Sequence, residues 1–130
     1  MGKKTLFLII GTLFFVCLCF QEQTVFGYVG YTTDRNITLE DVHLYIDGEA
    51  VYKGNLHADY MHAPYDTFTL NLNIGIHNLE VWLPNEKIRQ SKKIFYWGYK
   101  YMIIDFFSQK EWNSTSNIFW IDTCNEFPLE

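Results

Sequence analysis

Cysteine is scarce in this chain: Cys17 and Cys19 lie in an apolar leader, and Cys124 stands near the far end. Removal of the leader after Cys19 would leave Cys124 alone, so no intramolecular disulfide is available and the fold must rest on its core. A basic block is missing as well. Ten Lys and Arg stand against fifteen Asp and Glu, for a formal charge of −5. The one mildly basic stretch, "KIRQSKK" at 87–93, sits inside a strand pattern and reads as a solvated hairpin. Nucleic acid is thereby excluded as a partner, because neutralising phosphates with Lys and Arg supplies most of such affinity. After residue 25 no stretch sustains a helical period, and there are no internal repeats and no low-complexity linkers. Also absent are a Gly-x-Ser-x-Gly elbow, a Cys–His pairing and a phosphate-cradling glycine loop.

What is present begins with "MGKKTLFLIIGTLFFVCLCFQEQ": two lysines, an apolar run from Leu6 to Phe20, then polar residues. That is the layout of a secretory signal, with a positive start and an apolar region of about 7–15 residues. A spanning helix wants about 20 apolar residues and at least about 17. The run falls just short, which favours a cleaved signal peptide over a retained anchor for residues 1–23. Cys17 and Cys19 suit the small positions before one cleavage site, and Val25 and Gly27 suit a second. Lipid attachment at a cysteine is disfavoured by the bulk of Val16 and Leu18. The expected location is secreted or cell envelope, with membrane anchoring as the alternative. About 105–110 residues remain, the size of one domain, read here as residues 27–130. Hydrophobic content of 48% and aromatic content of 18% allow a core without metal or disulfide support.

Short runs rich in Val, Ile, Thr, Tyr, Phe and Trp recur between turn residues. "GYVGYTT" (27–33) is the first expected strand. "DVHLYI" (41–46) alternates, with Val42, Leu44 and Ile46 on one face, and "DG" at 47–48 is a strong hairpin signal before "EAVYKG" (49–54). A loop is expected over 55–65. "TFTLNLN" (67–73), "IHNLEVWL" (76–83), "KIRQSKKIFYW" (87–97), "YKYMIIDFF" (99–107) and "IFWID" (118–122) complete the set, with a polar loop at 108–117. Seven or eight strands at roughly 10-residue spacing predict an all-β, antiparallel sandwich; a closed barrel is the competing architecture.

"VHLYIDGEAVYKGN", followed some 20 residues later by "TLNLNIGIHNLEVWLPNEKI", resembles the PEGA-like and related immunoglobulin-like β-sandwich modules of bacterial envelope proteins. The likeness covers roughly residues 40–90. The Pro-Glu-Gly-Ala signature is absent, and the loop at 55–65 departs from the pattern. The resemblance implies an immunoglobulin-like, extracytoplasmic, non-catalytic module serving surface glycan handling or envelope assembly. It also implies that His77 helps to close a turn.

Candidate chemistry is thin. "HADYMH" offers His57, Asp59 and His62, but their spacing matches no recognised zinc site, which needs three or four ligands in defined geometry; no metal and no cofactor is expected. Asp105 is an acid inside an apolar strand, and a buried carboxylate with a shifted pKa can act as a general acid. Parity groups it with Tyr99, Tyr101, Ile103 and Phe107 on the wetter face, so a solvated acid is the plainer reading. A small exported hydrolase or lyase using Asp105 with a loop histidine is the rival function. The triplets at Asn36 and Asn113 fit N-glycosylation acceptors.

Trp82 poses the sharper question, because it stands among Asn78 and Glu80 rather than with Leu79, Val81 and Leu83. If the last three long strands are neighbours, their outer faces carry Trp82, then Phe95 and Trp97, then Tyr99 and Tyr101. A row of rings facing water calls for a cover. Three are open: the segment after residue 108, with Trp112, Phe119 and Trp120, as a lid; a protein partner or a second copy; or stacked sugar rings. Trp82, Trp97, Tyr99 and Tyr101 are therefore the candidate residues of an exported, non-enzymatic binding or structural module whose partner is a protein or a glycan. Nothing in the chain specifies its oligomeric state.

Overall fold

The computed structural model describes residues 2–32, 37–58, 65–107 and 118–126, leaving the side chains of 18 and 19 aside. Asp59, His62, Asn36, Trp112 and Asn113 lie outside the described residues. The chain begins with helix α1 (Lys3–Phe20), apolar nearly all round, whose side chains are exposed. No helix among the described residues is long and apolar enough to cross a membrane. Eight strands follow: β1 (Gln23–Tyr31), β2 (Ile37–Ile46), β3 (Glu49–Ala58), β4 (Asp66–Leu72), β5 (Gly75–Leu83), β6 (Ile88–Tyr96), β7 (Tyr101–Phe106) and β8 (Phe119–Cys124).

They form a sandwich of two four-stranded sheets, ordered β4-β1-β7-β8 and β3-β2-β5-β6. All neighbours run antiparallel except β1 and β7, which are parallel from Phe26↔Tyr101 to Tyr31↔Phe106. The alternation in the sequence is what fills the core. Leu70 and Leu72 of β4, Val25 and Val29 of β1, and Met102 and Ile104 of β7 face Leu44 of β2 and Leu79, Val81 and Leu83 of β5. Fully burying a side chain of this kind contributes about 1.5–3 kcal/mol. Gly27 is the one gap in the inward row of β1, and the Phe68 ring occupies the place of its missing Cβ.

Turn chemistry sets the strand connections. Asp47 and Gly48 carry positive φ (50° and 83°), as a two-residue hairpin needs. Gly75, at φ 144°, opens β5, and Gly98, at φ 113°, lies where the chain leaves β6 for the other sheet. The sides are closed by side chains. Tyr52 of β3 donates its hydroxyl to Asp66 Oδ2 of β4 at 2.5 Å; burial first and that carboxylate second push the phenol well above its ordinary pKa. On the far side Lys92 of β6 donates to the Phe119 carbonyl of β8 at 2.5 Å and sits 4.3 Å from the centre of its ring, and burial draws the Lys92 pKa down. The Ile118 amide donates to Gln90 Oε1.

Three expectations are corrected. The sandwich starts at Gln23 rather than Gly27, because Gln23–Gly27 already pair with Phe68–Leu72 and Val25 is fully buried. The expected loop at 55–65 is strand as far as Ala58, since β3 extends along β2 to the pair Ile37↔Ala58. Most consequentially, β6 and β7 are not neighbours. β6 is an edge of one sheet, and β7 is an inner strand of the other.

Candidate functional site

That division splits the expected row of rings. Trp82 lies on the outer face of β3-β2-β5-β6, opposite His43 and Arg89. The Arg89 guanidinium covers it at 4.7 Å from the ring centre and reaches Glu80 Oε1 at 3.1 Å. His43 is within 2.7 Å of Asp41 Oδ1 and 3.4 Å of the Tyr45 hydroxyl, whose ring stacks on its own. The cover over Trp82 is thus a cation from the next strand. Phe119 and Trp120 are not a lid over it: they belong to the edge strand of the opposite sheet, Phe119 in the core and Trp120 on that sheet's outer surface.

Tyr99 is a core residue, 1% exposed, rather than an outward one. The chain crosses between sheets at Gly98, so the parity counted back from Tyr101 does not reach it. Its ring meets Tyr96 edge-on at 4.9 Å and Trp97 at 5.5 Å. Burial, with a smaller effect of Tyr96, pushes its phenol up to about 12. Trp97 is exposed just beyond β6. Of the four candidates, only Tyr101 lies on the outer face of β4-β1-β7-β8.

On that face a different set of rings assembles. Tyr101 of β7 is 6.1 Å from Phe26 and 6.2 Å from Tyr28, both on β1. Phe26 is 48% exposed and Trp120 of β8 is 55% exposed. A shallow groove of about 410 Å³ runs between Phe26 and Tyr28, along Thr67 and Thr69 of β4. Asp105 sits on the same face, as parity predicts. Its Oδ2 accepts the indole N–H of Trp120 at 3.1 Å, which pins one end of that ring while its surface stays open. Gly30 has no side chain, and the Tyr65 ring and Asp105 fill that space. Burial first, and then the Asp105 carboxylate, push the Tyr65 phenol up to about 12.

A first strand counted from Gly27 leaves out Phe26, whereas β1 begins at Gln23. Trp120, expected in a lid over Trp82, lies instead on the outer face of β8. The useful signal was the outward parity of "TVFGY" and "FWID", but it required knowing that both strands flank β7.

Asp105 therefore meets Trp120 and Tyr65. His57, on the edge strand of the other sheet, pairs with Thr38 Oγ1 at 3.0 Å. His77 is buried and closes turns: its Nδ1 is 2.5 Å from Asp47 Oδ2 and its Nε2 2.7 Å from the Asn73 carbonyl. Asp47 Oδ1 accepts the Asn78 amide. Burial tends to raise the Asp47 pKa, but the Asn78 amide and His77 outweigh it and hold it below the ordinary carboxylate value. A polar groove of about 470 Å³ beside this turn carries the carboxylates Glu22, Asp47 and Glu49. Among the described residues no group of three or more metal-ligating side chains is positioned for an ion. Cys124 is a free, half-buried thiol at the end of β8. Burial, and then Asp122 and Glu126, raise its pKa.

Comparison with protein-family models, with curated proteins and with solved structures found no match.

Proposed function

We propose that this chain is an exported, non-catalytic binding module of the cell envelope or extracellular space, and that it takes a glycan on the outer face of β4-β1-β7-β8. The observation that carries the reading is the pairing of two open rings, Phe26 and Trp120, with hydroxyl-bearing neighbours on one sheet. Aromatic faces suit the C–H surfaces of sugar rings, and Thr67, Thr69 and the tyrosines supply hydrogen bonds around them. Trp120 is held by Asp105, so little freedom is lost when it stacks. Export rests on the basic start and apolar run of the leader. The likeness of residues 40–90 to PEGA-like envelope modules points the same way.

The test is a glycan array read alongside a melting curve. Wild-type protein is expected to retain a defined set of glycans. Stacked rings contribute about 1–3 kcal/mol each in comparable base–aromatic pairs, so Trp120→Ala and Phe26→Ala are each expected to weaken binding about fivefold or more. The melting temperature should stay within about 2 °C of wild type, since both rings are open to solvent. Binding that survives both substitutions, or that is seen only for a protein partner in pull-downs, would overturn the glycan reading.

A further inference from the structure

A second group of exposed apolar side chains belongs to the other sheet. Ile76 and Phe95 are cross-strand partners on β5 and β6, 71% and 59% exposed, and Trp97 follows at 52%. Among the described residues none of them has a charged cover of the kind that Arg89 gives Trp82. The segments that carry them, 73–76 and 94–99, contain no charged residue. Lys93 and Lys100 flank the second segment, and both are exposed. Apolar and aromatic residues rimmed by lysines suit the boundary between lipid tails and headgroups. The rings sit at that level and the lysine stems extend outward.

The position of this patch is the second observation. Gln23, three residues after the end of α1, accepts a hydrogen bond from the Tyr96 hydroxyl at 3.1 Å through its Oε1. The same oxygen lies 3.8 Å from where a Cβ on Gly98 would stand. The residue before Trp97 is thus bonded to Gln23, through which the chain enters the sandwich. What enters there is α1, a helix apolar nearly all round, with an exposed Phe20 at its end and two lysines at its start. Such a helix belongs in a core or in lipid. At 18 residues and 1.5 Å per residue it extends about 27 Å, less than a hydrocarbon core of about 30 Å. Stable attachment by a weak insertion commonly needs a second contact.

We propose that the chain retains α1 in a lipid bilayer and seats the Ile76–Phe95–Trp97 end of the sandwich on the membrane surface. The tether brings that end to the interface at high local concentration, so a patch of three side chains suffices to fix orientation. This inference rests on the export reading but not on the glycan assignment.

The experiment uses the full chain reconstituted into phosphatidylcholine vesicles, with bromine placed either high on the acyl chains or near their ends. Shallow bromines are expected to quench part of the tryptophan emission, and deep bromines to quench less. Trp97→Phe should abolish that difference, while Trp82→Phe and Trp120→Phe should leave it intact. Ile76→Ser with Phe95→Ser should reduce the quenching of Trp97 without changing the melting curve, because both side chains are exposed. Quenching that is unchanged by Trp97→Phe, or absent from vesicle-bound protein, would overturn the proposal. So would mass spectrometry showing that exported protein begins after α1. Glycan binding by soluble protein would stand in any of these cases, so the two readings fail separately.

Discussion

The two outer faces of the sandwich obey the same alternation and end differently. On β3-β2-β5-β6 the central ring, Trp82, is paired: Arg89 covers it, Glu80 holds Arg89, and His43 with Asp41 stands beside it. On β4-β1-β7-β8 the rings of Phe26 and Tyr28 both meet Tyr101, and Trp120, bonded through its N–H to Asp105 and 6.2 Å from the Phe107 ring, is still 55% exposed. A large aromatic on a wet face is therefore not by itself a sign of function. What distinguishes a structural ring from an available one is whether neighbouring strands supply a cover, and that is decided by cross-strand register rather than by the residue itself.

The inner faces should not share this asymmetry. Leu79→Ala in one sheet and Leu70→Ala in the other are each expected to cost about 2–5 kcal/mol in denaturant unfolding, because both open cavities in the same core. Thr69→Ala, on the outer face between the core residues Phe68 and Leu70 of β4, should cost well under about 1 kcal/mol, the level of an ordinary surface change. A large loss at Thr69 would break the comparison at its root.

Acid provides a second way to separate regions. Asp47 has a lowered pKa in the folded state, so its stabilisation is present above the ordinary carboxylate pKa of about 3.9 and is lost as pH falls through the lower folded value. The wild-type acid-unfolding curve should therefore carry a component below about pH 4 that Asp47→Asn removes. Glycan binding at neutral pH should be unaffected, since Asp47 lies on a turn of the other sheet and does not line the groove beside Phe26.

The smallest expected effect concerns the paired ring. A double-mutant cycle of Trp82→Ala and Arg89→Ala should return a coupling of about 0.5–1 kcal/mol, the size of an exposed cation–π contact. Trp82→Ala should leave ligand binding intact, whereas Trp120→Ala should do the reverse.

Strand identity was legible because it is written in neighbours. Phe68, Leu70 and Leu72 alternate with polar residues, Asp47-Gly48 dictates a hairpin, and the eight-stranded sandwich follows from such local signals. Sheet membership was not legible. β6 and β7 are adjacent in sequence and both rich in rings, yet Gly98 turns the chain across the core, so Trp97 and Tyr101 end on different sheets. A two-residue period has no way to record that crossing, and Tyr99 was misplaced by the same gap. The proposed binding face was half visible: Tyr101 and the wetter side of Asp105 followed from parity, but Phe26 and Trp120 join them only through the pairing of β1 and β8 with β7.

That pairing also has a consequence in time. Phe26 is bonded into a sheet beside Tyr101, some 75 positions later, and β7 is in turn flanked by β8. During synthesis from the N-terminus, β1 can find β4 early but cannot complete its second edge until β7 has emerged. Closure of so long a loop costs entropy before any contact repays it, and folding dominated by such distant pairs is slow. A nascent chain of this topology stays open until nearly all of it has been made, and so can be threaded through a narrow translocation pore before its tertiary structure forms.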